Sequence, residues 1–203
     1  MKKILTFLVF LIAAGYFAES FAQSTPEWKW IHPKPQGQIL RWFKMIDANT
    51  WYAAGDYGIF MKTTNAGANW KVSVGGYGYS SYPGSGIYQN NLTGYFFDAN
   101  TGFLGVQAVR GIAKTTNGGV SFDTIQILST GSGWTYGFHF INTSTGYLSG
   151  NTGFKLMKTT NAGINWSLVT NVPNATYYSV YAPDTNNILG TSSSGNVYMA
   201  SDA

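Results

Sequence analysis

The residues able to do chemistry in this sequence are few, so their placement matters more than their number. Glycoside hydrolysis by paired carboxylates needs two acids about 5–10 Å apart across the scissile bond. After residue 22 the acids are Glu27, Asp47, Asp56, Asp98, Asp123, Asp184 and Asp202. Metal binding needs clustered His, Cys or carboxylates. Here His32 and His139 stand apart and there is no cysteine, so no metal or other cofactor is expected. The run Asp98-Ala99-Asn100-Thr101-Gly102 has the oxygen-rich look of a calcium loop but lacks its bidentate glutamate. Tyr77, Tyr79, Tyr82 and Tyr88 crowd a segment rich in Gly, Ser and Pro. Amphipathic rings on such a loop suit contact with a sugar or a peptide.

Which of these groups can meet depends on the elements that carry them. Seven Trp, fourteen Tyr and thirteen Phe stand beside 25 Gly, and only 10% of residues are charged. Low charge with many apolar residues excludes a disordered tail. Aromatic and β-branched residues broken by Gly, Asn and Ser predict short strands joined by tight turns, not a helical bundle.

Three segments repeat. Each places an acidic or amide residue (Asp47, Asp98, Asn142) ahead of a Lys-Thr-Thr-Asn-x-Gly run at Lys62, Lys114 and Lys158. A fourth copy starts at Asp184 and reaches Met199–Ala203. The spacing of 40–50 residues in a strand-rich chain is that of propeller blades. Four strands a to d are expected per repeat, in the first at Ile39–Ile46, Trp51–Gly55, Ile59–Thr64 and Trp70–Val74. Asn and Gly tolerate the positive φ of the turns between them. The fold class is therefore all-β, a propeller of four-stranded blades with about three and a half to four blades present.

That topology sorts the candidates. Asp47, Asp98, Asn142 and Asp184 fall in the a–b turns and read as structural. The recurring lysines read as blade surface. The b–c turns and d–a links share the opposite face, which carries Asp56, Tyr57, Gln107, Arg110, Asn151 and Thr152. The tyrosine segment joins them, because 28 positions separate Trp70 from Asp98 against 20 and 18 in the later repeats. Candidate ligand contacts are thus Asp56, Tyr57, Tyr77, Tyr79, Tyr82, Arg110 and Asn151. Asp56 and Asp123 are the repeat acids outside structural turns, and they are expected on opposite faces, unable to converge.

The pattern Thr-x-Asn-x-Gly-x-x-Trp occurs as Thr63, Asn65, Gly67, Trp70, then Thr115, Asn117, Gly119, Phe122, then Thr159, Asn161, Gly163, Trp166. It resembles the Asp-box, or BNR repeat, with Asn for the usual Asp. The surrounding blade is similar to the photosystem II stability and assembly factor family of propellers and to exported bacterial surface proteins. The resemblance implies architecture and carries no photosynthetic role. It also points to sialidases, whose site uses three arginines, a Tyr nucleophile with a Glu base, and an Asp acid. Beyond residue 22 the chain offers Arg41 and Arg110 and the single glutamate Glu27, so that site cannot be assembled here.

Lys2 and Lys3, the apolar run from Ile4 to Ala14, and Ser20-Phe21-Ala22 have the form of a secretory signal peptide over 1–22. The apolar run is shorter than the roughly 20 residues a membrane helix needs. The mature chain then carries +3, too weak and scattered for nucleic acid. Residues 23–38 form an N-terminal strand and linker, and the blades span about 39–74, 90–127, 134–170 and 176–203. The last repeat stops inside its turn. A ring of four closed by Glu27–His32 is one reading, and a piece of a six- to eight-bladed propeller is the favoured one, since a cut hairpin leaves an open edge. The expected role is exported, non-catalytic binding of a protein or glycan. The alternative is part of a glycoside hydrolase whose catalytic residues lie in further blades.

Overall fold

A computed structural model of the chain describes residues 37–74, 90–107, 110–129, 131, 133–151 and 153–201. The predicted leader and the tyrosines 77, 79, 82 and 88 lie outside these residues. Among the described residues, fifteen strands form four antiparallel meanders. The first sheet contains β1 (Leu40–Met45), β2 (Trp51–Gly55), β3 (Ile59–Thr63) and β4 (Lys71–Val74). The second contains β5 (Asn91–Phe96), β6 (Gly102–Val106), β7 (Gly111–Thr115) and β8 (Asp123–Gln126). The third contains β9 (Thr135–Phe140), β10 (Gly146–Gly150), β11 (Leu156–Thr159) and β12 (Ser167–Leu168). The fourth has three strands, β13 (Tyr177–Tyr181), β14 (Asn187–Ser192) and β15 (Val197–Ser201). First strands neighbour one another, β1 against β5, β5 against β9 and β9 against β13.

The sheets stack face to face through aromatic seams. Tyr52, Phe60 and Trp42 of the first sheet pack on Phe96 and Phe122 of the second. Phe103 and Ile112 of the second meet Phe140, Leu148, Met157 and Trp166 of the third. Tyr147 and Leu156 of the third meet Tyr177, Val180 and Ile188 of the fourth. Burying rings this large removes much apolar area from water and holds together a fold that has no disulfide.

The turns recur with fixed hydrogen bonds. Oδ1 of Asp47 accepts from Asn49 N and Thr50 N at 2.7 Å each. Asp98, Asn142 and Asp184 do the same in their sheets. In the Thr-x-Asn-x-Gly turns the threonine hydroxyl donates to the Asn side chain, at 2.9 Å from Thr63 to Asn65. The same hydroxyl accepts from the glycine N–H, at 3.0 Å for Gly67. The Asn oxygen closes the turn by accepting from the residue four positions on, at 2.9 Å for Asn69. Thr115, Asn117 and Gly119, and Thr159, Asn161 and Gly163, repeat the set. Each such turn docks on the a–b turn of its own sheet, through Ala66 N to Asn49 O, Gly118 N to Asn100 O and Ala162 N to Ser144 O.

The recurring lysines are not free surface charge. Lys62 Nζ lies 5.4 Å from the centre of the Tyr52 ring and reaches Gly118 O of the next sheet at 3.4 Å. Lys114 Nζ lies 5.4 Å from the centre of the Phe103 ring and donates to Ala162 O at 2.8 Å. Lys158 Nζ stands 5.7 Å from the centre of the Tyr147 ring. In the fourth sheet the matching pair is Leu189 opposite Met199. The sequence reading of these lysines as surface missed the carbonyl contacts of Lys62 and Lys114 because those cross from one repeat to the next.

Candidate functional site

The face of interest is assembled from the start of each first strand and the adjoining b–c turn. The first turn residues Asp56, Gln107, Asn151 and Ser193 each donate a backbone N–H to the carbonyl just before a first strand. The acceptors are Ile39, Asn90, Trp134 and Thr176, at 2.9 to 3.0 Å. Immediately beyond, every first strand carries an irregularity of one residue against its partner. The extra residues are Arg41, Leu92, Tyr136 and Tyr178. A β-bulge re-aims its side chain out of the strict in–out alternation. Four sheets therefore present four bulge side chains at the same end of the stack.

In the first sheet the bulge residue makes an ion pair. Arg41 Nε bonds Asp56 Oδ1 and Arg41 Nη2 bonds Asp56 Oδ2 at 2.9 Å, a two-point fork. This pairing raises the arginine pKa above its already high ordinary value. Asp56 is only 7% exposed. It is tied to Arg41, not open to solvent. Tyr57, beside it, adopts φ 57° and is 55% exposed, and its N–H donates to Asn90 Oδ1 at 3.0 Å. Asn90 in turn donates to Gln107 Oε1 at 2.8 Å, so the first two turns form one chain of amide contacts.

Arg110 donates from Nη1 to Ser129 O at 3.5 Å, and its buried Nε has no partner among the described residues. Asn151 turns inward: its Oδ1 accepts from Trp134 N at 3.0 Å and Gly153 N at 3.2 Å. That makes Asn151 a turn-former as well as a candidate contact. Thr152 lies outside the described residues. Asp123 opens β8 opposite Lys114, close to the Thr-x-Asn-x-Gly turn of its sheet, whereas Asp56 opens the b–c turn at the other end. The two carboxylates thus occupy different sheets and opposite strand ends.

Three rings that sequence reasoning did not single out stand on this face. Trp134 and Tyr136 have centroids 6.2 Å apart, and Tyr136 and Tyr178 of the next sheet 5.3 Å apart. Tyr178 is 54% exposed. Burial pushes the Tyr136 phenol above its ordinary pKa, with the neighbouring Tyr178 adding to the effect. Among the described residues no group of three or more His, Cys, Asp or Glu could hold a metal ion. No helix among them is long and apolar enough to cross a membrane.

A cavity of about 190 Å³ lies between the third and fourth sheets, lined by Leu156, Val169, Tyr177, Ile188 and Tyr198. Leu156 is the counterpart of Phe60, on which the turn aromatic Phe122 packs at 5.1 Å. The cavity is thus a seam position that no turn aromatic of the described residues fills.

No protein-family model matches the chain, and no curated protein matches it. Solved structures do. YCF48 bound to D1 peptide superposes with a TM-score of 0.58 at 17% identity, over 78% of this chain and 49% of that one. The computationally designed Ika4 protein gives 0.62 at 8% identity, over 88% of this chain and 100% of that one. The GH74 xyloglucanase from Xanthomonas campestris gives 0.56 at 14% identity, over 81% and 28%. The chain has the fold of a partial β-propeller. It spans about half the length of the YCF48 structure. Its four sheets are blades, and identities this low establish the fold alone.

Proposed function

We propose that the chain is an exported, non-catalytic propeller module that binds a protein segment or a glycan through the face of its b–c turns. One observation carries this reading. On that face, among the described residues, the only carboxylate is Asp56, and Arg41 occupies both of its oxygens. A hydrolase needs one acid to donate a proton and a second to attack or activate water, and a single paired carboxylate can do neither job well. What the face offers instead is half-exposed aromatic surface with amide groups, the usual material of a recognition site. YCF48, one of the similar folds, is seen with a peptide. The Thr-x-Asn-x-Gly turns are read as Asp-box repeats whose task is to hold blades together. Tyr77, Tyr79 and Tyr82 are assigned to the same contact surface, and export to the leader over 1–22.

The test is direct. The secreted chain should begin at Gln23 by N-terminal sequencing, and should bind immobilised glycans or peptide arrays without hydrolysing aryl glycosides. Triple replacement of Tyr77, Tyr79 and Tyr82 by Ala should weaken that binding. Retention of the leader on a cytoplasmic product would overturn export, and glycoside turnover would overturn the non-catalytic role.

A second reading is favoured by the GH74 enzymes among the similar folds. There the chain would be one part of a glycoside hydrolase whose acids lie in other blades. Turnover of xyloglucan by a longer product, absent from this chain alone, would establish it.

A further inference from the structure

We propose that Trp134, Tyr136 and Tyr178 form a stacking subsite for a neutral oligosaccharide at the seam of the third and fourth blades. The inference rests on the binding-module reading and names a ligand class and a place for it. Tyr136 and Tyr178 occupy the same bulge position in successive blades, so the irregular pairing that turns one outward turns the other outward beside it. Trp134 continues the row from the residue before β9, anchored by its N–H to Asn151 Oδ1 and its carbonyl to Asn151 N. The result is three rings in steps of 6.2 and 5.3 Å, inclined to one another by 69° and 63°.

The corresponding positions of the first two blades are already spent or carry no ring. Arg41 is bound to Asp56, and Leu92 is aliphatic. Neither phenol of the row has a hydrogen-bond partner among the described residues, and both can donate to or accept from a sugar hydroxyl. Uncharged polar side chains flank the row. Asn151 lies beside Trp134, and the Ser179–Thr191 hydroxyl pair, 2.7 Å apart, lies beside Tyr178.

Two physical arguments select a glycan over an extended peptide. A peptide added to a strand edge needs evenly spaced main-chain groups, and the bulges break that spacing at the residues that carry the rings. Pyranose rings need no such ladder, since their apolar faces stack on aromatic rings while their hydroxyls take neutral partners. An acidic polymer would in turn look to Arg110 and to Lys155, whose N–H donates to Asn151 O in the b–c turn of the third blade.

The test titrates the mature chain with tetra- to hexasaccharides of β-glucan, mannan and galactan, and with oligogalacturonate, following tryptophan fluorescence and heat of binding. Saturable binding of a neutral oligosaccharide is expected, with affinity falling at least about tenfold in Tyr178→Ala and in Trp134→Ala. A few-fold fall is expected in Tyr136→Phe, which keeps the ring and loses the hydroxyl. Tyr181→Ala, with an exposed ring at the other end of β13, should bind normally, and urea midpoints establish that all variants fold. Neutral-glycan binding unchanged in Tyr178→Ala and Trp134→Ala would overturn the subsite and leave the binding module standing. Binding of oligogalacturonate alone, abolished by Arg110→Ala, would overturn the neutral class. Peptide-array binding without any glycan binding would overturn the inference and spare the broader reading, while no binding in any format would overturn both.

Discussion

Lys114 Nζ donates to the carbonyl oxygen of Ala162 at 2.8 Å, a bond that leaves the second blade and ends in the turn of the third. The same ammonium lies over the Phe103 ring. Lys114→Ala removes a charge-assisted hydrogen bond and a cation–π contact together. Urea unfolding should show a loss of about 1–3 kcal/mol, and Lys114→Gln, which keeps a donor, should recover part of it.

Gly119 is where the Phe60 ring of the preceding blade meets the turn of the second. Its φ is +80°, and a Cβ there would run into that ring. Gly131 has φ +75° but nothing within 4 Å of a Cβ. Gly131→Ala should therefore cost only the backbone strain, about 1 kcal/mol, whereas Gly119→Ala should cost about 2 kcal/mol more. Equal thermal shifts for the two variants would contradict the packing described for this seam.

The Tyr52 hydroxyl donates to Ala99 O at 2.7 Å, and the equivalent Tyr147 hydroxyl reaches Thr185 O at 3.5 Å. Phe103 fills the same slot in the second blade with no hydroxyl at all. Tyr52→Phe should cost about 1 kcal/mol and Tyr147→Phe less. Burial pushes the Tyr52 phenol up to about 12 from 10.0. The folded state thus holds that proton more tightly than the unfolded chain, so stability should fall as pH rises between those values. Tyr52→Phe should remove that part of the alkaline slope.

The carboxylates of Asp47 and Asp184 are held below the ordinary 3.8. For Asp47 the main cause is the backbone N–H of Asn49, then that of Thr50, and for Asp184 it is the Asn187 side chain, then the N–H of Asn186. Because the folded-state values are depressed, their contribution is fully present above about pH 4 and is lost as pH falls through the folded values. Asn142 makes the same turn without a charge. The double variant Asp47→Asn, Asp184→Asn should keep the turns and show a shallower loss of stability on acidification, measured by urea midpoints between pH 6 and pH 2.

Much of the blade was legible from residue order alone. Turn chemistry and apolar runs predict strands at Trp51–Gly55 and Ile59–Thr64, and the structure has them at Trp51–Gly55 and Ile59–Thr63. The Arg41–Asp56 pair was not legible, because it depends on how a hairpin brings residues 15 positions apart into register. The Trp134–Tyr136–Tyr178 row escaped for a related reason. A bulge is a property of two strands of unequal count, whereas alternation along one strand makes Tyr136 an ordinary half-buried position. The lysines were legible as a repeat, but the acceptors of Lys62 and Lys114 belong to the following repeat, which a single-blade comparison never pairs with them.

The lysine contacts also give the stack a sense of time. Lys62 serves a carbonyl 56 residues later and Lys114 one 48 residues later, so each acceptor is synthesised after its donor. A chain emerging N-terminus first would finish its seams in order of synthesis, each folded blade offering its ring and ammonium as a template for the next. Until that successor arrives, the waiting ammonium stays hydrated at little cost, whereas an unmet carbonyl buried early would have been expensive. Between the described blades, then, the contacts of Lys62 and Lys114 are completed only once the following blade is in place.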